Sequence, residues 1–138
     1  MARLLAALLT GLAALAASTA ARAVPLPEIV APAVGPRCVL PAEQMRREHM
    51  ELLRHQRART VRQGIRGERF SLRLCIACHA GRDERGQPVS VAAPGQFCES
   101  CHRYAAVRID CFQCHSGRPD PEAEAAARRI AGELAAGR

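Results

Sequence analysis

Three five-residue phrases carry the chemistry of this chain: Cys75-Ile-Ala-Cys78-His79, Cys98-Glu-Ser-Cys101-His102 and Cys111-Phe-Gln-Cys114-His115. Two intervening residues let one turn of backbone present both thiols along one edge of a flat ligand, and the histidine that follows falls under its centre. This is the attachment pattern of a c-type haem, in which two thiols form thioethers to the vinyl groups and the adjacent imidazole ligates the iron. Three phrases predict three covalently bound haems c. Cys75, Cys78, Cys98, Cys101, Cys111 and Cys114 would hold the macrocycles, and His79, His102 and His115 would be the proximal iron ligands.

Two other chemistries use paired cysteines. The nineteen residues between Cys78 and Cys98 fit a C-x2-C-x15-20-C-x2-C zinc ribbon. A ribbon completes its tetrahedron with four ligands, however, and has no use for an imidazole after every second cysteine. A CxxC dithiol redox enzyme leaves the histidines equally unexplained. Haem accounts for all nine residues.

Six-coordinate iron in three haems also needs ligands on the far side, and their placement is uneven. Apart from Met1, every Met, every His and the one Cys not claimed by a phrase lie between Cys38 and His55: Cys38, Met45, His49, Met50 and His55. Taken singly, a methionine at helical spacing is ordinarily core filling and a lone histidine ordinarily faces solvent. Clustered beside three irons, these five are the candidate distal ligands. If the other six cysteines are thioethers, Cys38 has no intramolecular disulfide partner, so it is a buried thiol, an intermolecular bridge or a ligand.

The elements that must position these groups can be read in coarse outline. Pro41 to about Gln63 reads as a helix, with Pro at its first position and Gly64 as its stop. Met45, His49 and Leu52 share one face, Met50 and Leu53 another, and His55 points roughly 120° away from His49. Residues 64–74 and 80–97 read as connectors with short helical turns at the binding phrases. Only nine residues separate Cys101 from Cys111, so the second and third sites must be close. The tail from Asp120 onward has a capping Asp, Pro121 at the first helical position, acids early and Arg128 and Arg129 later, which suits the helix dipole. It shows no site chemistry, and docking on a partner is the expected role. The fold class is therefore mainly α with much irregular loop, a small multihaem cytochrome whose core is organised around three covalent haems. Its expected parts are 1–23, a signal peptide or uncleaved membrane anchor; 24–37, a Pro-rich linker that spaces the rest from a membrane or partner; 38–118, the triheme domain; and 119–138, a C-terminal helix.

Composition agrees. At 138 residues with 3% aromatic content and no Trp, the side chains alone make a poor core. Haem would repair that deficit, as disulfides or metals do in other small scaffolds, and the polypeptide without haem is expected to be largely unfolded. All twenty basic residues are Arg, and the formal charge is +7. Such a balance raises nucleic acid as a partner, but arginine forks also pair with haem propionates. Export argues against nucleic acid: a positive start, an uncharged Leu/Ala run from Leu4 to Ala21 and an Ala21-Arg22-Ala23 cleavage pattern have the shape of a secretory signal. An eighteen-residue run is also at the lower limit for a membrane anchor. Either outcome places the remainder outside the cytoplasm, where bacteria attach haem c.

The export segment, the isolated Cys38, the phrase Met45-Arg-Arg-Glu-His49-Met50-Glu-Leu-Leu-Arg-His55-Gln-Arg57, then Gly64-Ile-Arg66 and three CxxCH phrases together resemble the DsrJ family. These are the periplasmic triheme cytochrome c subunits of the sulfite-reductase-associated DsrMKJOP transmembrane electron-transfer complex. The resemblance covers roughly Cys38 to His115. It implies three unlike axial sets, His/His, His/Met and His/Cys, with Cys38 as the thiolate, His49 or His55 as the second imidazole and Met45 or Met50 as the thioether. It also implies integral membrane and iron-sulfur subunits as partners, a periplasmic redox partner, and a leader that often stays attached as an anchor. The expected function is a non-catalytic electron carrier between the periplasm and a membrane complex of dissimilatory sulfur metabolism. The alternatives are a haem enzyme acting on a sulfur compound at a His/Cys-ligated haem, and a zinc-stabilised exported binding module.

Overall fold

The computed structural model describes residues 1, 3, 23–66 and 69–137; the expected leader run at 4–21 lies outside them. The described elements are four α-helices and one 3-10 turn: α1 (Ala42–Gln63), α2 (Leu72–His79), α3 (Phe97–Tyr104), the 3-10 turn Cys111–Gln113, and α4 (Pro121–Ala135). Among the described residues the only β pairing is an isolated bridge between Arg82 and Pro88. None of the described helices is long and apolar enough to cross a membrane.

Helix α1 starts and stops where local chemistry dictates. Pro41, at φ −51° and ψ 137°, caps the helix and is not its first residue, so the helix begins one position later than expected, and the Pro41 carbonyl accepts the Met45 amide at 3.0 Å. Gly64 ends the helix in the left-handed region at φ 69°, donating its N–H to the Thr60 carbonyl at 3.1 Å. Met45, His49, Leu52 and Gln56 recur at helical spacing and form its covered face. Its ion pairs, Glu43 with Arg47 and Glu51 with Arg54, lie in solvent and contribute little.

The described core is small. Its buried apolar residues are Leu74, Ile76, Ala77, Ala80, Val91, Ala123 and Ala127, four of them alanines. Ile76, Ala80 and Val91 form one cluster with Leu72, Cys98 and Phe112 packed on it; Ala77, Ala123 and Ala127 form the other, with Val34 and Cys78. Two expected cofactor-binding thiols are thus already part of the packing.

Two segments pack on the rest through contacts that the sequence did not show. One face of α4 packs on α2, burying Ala123 and Ala127 completely against Ala77. Alanine at both positions lets the helix backbones approach closely. The end of 24–37 is also in contact. It is extended and non-helical as its prolines require, but Ala33 donates to the Cys78 carbonyl at 2.9 Å and Val34 packs against Ala77, Ala123 and Ala127. Gly35, at φ 71°, lies so close to α4 that a Cβ there would sit 2.8 Å from that of Ala131.

Candidate functional site

Each of the three phrases is presented on a helical turn. Cys75, Cys78 and His79 occupy the last turns of α2, and Cys98, Cys101 and His102 run through α3. Cys111 opens the 3-10 turn, and the His115 amide closes back on its carbonyl at 2.9 Å. Both geometries bring residues i and i+3 to one side, which is how two thiols can meet one edge of a macrocycle. The second and third phrases are tied together through Val91. Its carbonyl accepts the amides of Cys98 and Glu99 at 3.1 and 3.3 Å, and its own amide donates to Gly117 at 2.9 Å.

No disulfide joins any two of the seven cysteines, and only Cys114 is exposed. Burial pushes the Cys75 thiol up to about 12, helped by Cys38, Cys78 and Cys98 nearby. Cys98 is pushed up to about 11 by burial, then by Cys111 and Cys101, and Cys78 is raised by burial and by Cys38. These neighbourhoods place the three phrases in a contiguous row, with Cys38 against the first. They also weigh on the competing chemistries. A dithiol enzyme needs a thiol with a depressed pKa, and the shifted thiols here move the other way. Among the described residues no three His, Cys, Asp or Glu side chains form a metal-sized group.

The histidines fit a metal-centred group better. His79 stacks on Phe97 with ring centroids 3.8 Å apart and planes 21° apart. His79 and His102 each bury a ring nitrogen, Nδ1, that has no hydrogen-bond partner. A buried polar atom left this way costs on the order of 1–3 kcal/mol, which makes the two imidazoles candidates for an additional ligand. Burial lowers the pKa of both, and His102 is lowered further by His49 against an opposing backbone hydrogen bond at Val107. The neutral imidazole so favoured is the metal-binding form. His115, by contrast, is exposed.

The five distal candidates do not share one environment. Cys38 faces Cys75 and Cys78. His49, half-buried on α1, lies 5.8 Å from His102 between ring centroids, with the ring planes at 84°. Its Nδ1 is 2.8 Å from the Met45 carbonyl, and since a carbonyl only accepts, Nδ1 carries the proton and Nε2 is left with its lone pair. Met45 is half-buried on the same face, whereas Met50 is 47% exposed. His55 is exposed and lines a cavity of about 440 Å³ with Leu52, Gln56, Arg59, Arg69 and Phe70.

Supporting residues were harder to see in the sequence. Arg73 and Arg82, one on α2 and one just beyond it, reach Asp120, Glu122 and Glu124 at distances of 2.6 to 2.8 Å and so fasten the first phrase to α4. The sequence signal is the acids in the first turn of α4, which suit the helix dipole and also pair with these arginines. Phe97, directly before Cys98, had an aromatic side chain beside a binding phrase as its only clue.

No protein-family profile matches the chain, and no solved structure shows significant similarity to it. Over 90 residues it is 28% identical to the Hdr-like menaquinol oxidoreductase cytochrome c subunit of Archaeoglobus fulgidus. The match covers 56% of this chain and 55% of that protein, so the chain spans about half the length of the relative it matches.

Proposed function

We propose that this chain is a triheme c-type cytochrome, exported to the periplasm, that carries electrons to or from a membrane complex of dissimilatory sulfur metabolism. The observation that carries the reading is the row of three CxxCH phrases, each on its own helical turn, with thiols of successive phrases close enough to influence one another. The relative from Archaeoglobus fulgidus, named as a cytochrome c subunit of a menaquinol oxidoreductase, supports the electron-transfer role. The DsrJ-like residues between Cys38 and His115 support the narrower assignment to a DsrMKJOP-like complex, with its integral membrane and iron-sulfur subunits as partners.

In this reading Cys75, Cys78, Cys98, Cys101, Cys111 and Cys114 anchor the haems, and His79, His102 and His115 hold the irons. Each bound haem supplies one-electron exchange between ferric and ferrous iron. The protein fixes the order of the sites, excludes water from the first two imidazoles and sets the potentials through unlike distal groups drawn from Cys38, Met45, His49, Met50 and His55. A thioether sulfur raises a haem potential, and an anionic thiolate stabilises ferric iron and lowers it, within a span of about 0.8 V. Unlike ligands therefore make steps rather than a level wire.

The test is reduction of the haems in membranes that contain the partner complex. Addition of a menaquinol analogue should reduce them there, and should leave the isolated chain oxidised over the same period. Equal reduction of the isolated chain would remove the need for a membrane complex.

A further inference from the structure

We propose that His49 is the distal ligand of the haem held by the second phrase, so that His49 and His102 bind one iron from opposite sides with their ring planes nearly perpendicular. The inference rests on the triheme reading above and goes further by selecting one residue from five and one site from three.

Distance is the first argument. A metal–imidazole bond is about 2 Å, and a ring centroid lies roughly 1.2 Å behind its ligating nitrogen, so one metal in line between two imidazoles separates the centroids by about 6.4 Å, within about 0.6 Å of the distance between these two rings. The observed separation is 5.8 Å. These residues are 53 positions apart and come from different helices, so no local geometry forces them together.

The second argument is the protonation of His49. Metal-binding histidines commonly donate their other ring N–H to a backbone carbonyl or carboxylate, which fixes the tautomer and the ring orientation. The Nδ1 contact with the Met45 carbonyl at 2.8 Å does this and leaves Nε2 as the donor atom. His102 meets it as a half-buried imidazole with an unpartnered, buried Nδ1.

The alternative imidazole is poorly placed. His55 is six residues further along α1, about 9 Å up the axis and about 120° around it. It is exposed and lines a separate cavity beside Arg59 and Arg69.

The 84° angle between the rings has a spectroscopic consequence. Parallel axial imidazoles split the two iron d orbitals that point between the ring planes, whereas perpendicular ones leave them nearly degenerate. Ferric iron between His49 and His102 is therefore expected to give a strongly anisotropic low-spin resonance with one prominent low-field feature.

The experiment is electron paramagnetic resonance on ferric, haem-loaded full-length protein, wild type against His49→Ala and His55→Ala, with covalent haem counted in each sample. His49→Ala should abolish the anisotropic signal, convert one haem in three to high spin and leave the haem count unchanged; added imidazole should restore the low-spin state. His55→Ala should keep the wild-type anisotropic signal. A His49→Ala protein with three haems, all low-spin without added imidazole, would overturn the ligand assignment alone. A wild type with fewer than three covalent haems would overturn the underlying reading as well.

Discussion

Arg73 on α2 grips both carboxylate oxygens of Asp120, at 2.8 and 2.6 Å, while Asp120 caps α4 by accepting the Ala123 amide at 2.8 Å. One aspartate therefore starts the C-terminal helix and ties it to the helix that carries the first binding phrase. Asp120→Ala removes the cap as well as the Arg73 pair, whereas Arg73→Ala leaves the cap but also loses the contact with Glu122, which is 85% exposed and contributes little; Asp120→Ala should therefore lower the melting temperature of the haem-loaded protein more. Thermal melts followed by far-UV circular dichroism would show the difference; equal losses would mean that the cap contributes no more than the Arg73–Glu122 contact.

The same pair makes a prediction about acid. Hydrogen bonding from Arg73, then from the Ala123 amide, holds the Asp120 carboxyl down at about 2. A carboxyl depressed on folding stabilises the folded state above its unfolded pKa of about 3.9, and that contribution is lost as pH falls through the folded value. Asp120→Asn keeps a capping oxygen but cannot pair as an anion, so its stability should fall less steeply between pH 4 and 2, a window set by the two pKa values. Parallel wild-type and variant curves over that window would show that Asp120 does not carry the effect.

Gly35 should tolerate no side chain. Its φ of 71° costs an L-residue about 1–2 kcal/mol, and a Cβ would also press on Ala131. Gly64, at φ 69° with open space around it, supplies the control. In denaturant titrations Gly35→Ala should be less stable than Gly64→Ala, the excess reporting how firmly the segment before Cys38 sits on α4. No excess would mean that the segment is not docked in solution.

Cys38→Ser should raise the reduction potential of one haem and remove its thiolate-type ferric signature, given that Cys38 faces Cys75 and Cys78. The shift should be a sizeable part of the roughly 0.8 V that axial ligands control. A redox titration monitored by resonance spectroscopy reads both quantities, and a variant that keeps every ferric low-spin feature of the wild type would take Cys38 out of the ligand set.

What was legible in the sequence was what depends on neighbours along the chain. Pro41 and Gly64 bracket α1, Asp120 and Pro121 start α4, and the thiol spacing sits on helical turns, because capping, left-handed glycine and i, i+3 geometry act within a few residues. What was not legible depends on distant partners. Nothing local tells Ala123 and Ala127 that they will meet Ala77, Arg73 that it will meet Asp120 47 residues later, or His49 that it will face His102. As imidazoles on one helix His49 and His55 are equivalent in the sequence; burial, the Met45 carbonyl and the position of α3 separate them.

Covalent attachment of three haems, one at each CxxCH phrase, can be read by intact mass spectrometry of the denatured protein produced in a host that matures c-type cytochromes. A mass increment of three haems should survive denaturation, with peptides containing Cys75, Cys98 and Cys111 each carrying one. Unmodified protein with seven titratable thiols from such a host, or protein holding zinc in place of covalent haem, would contradict it.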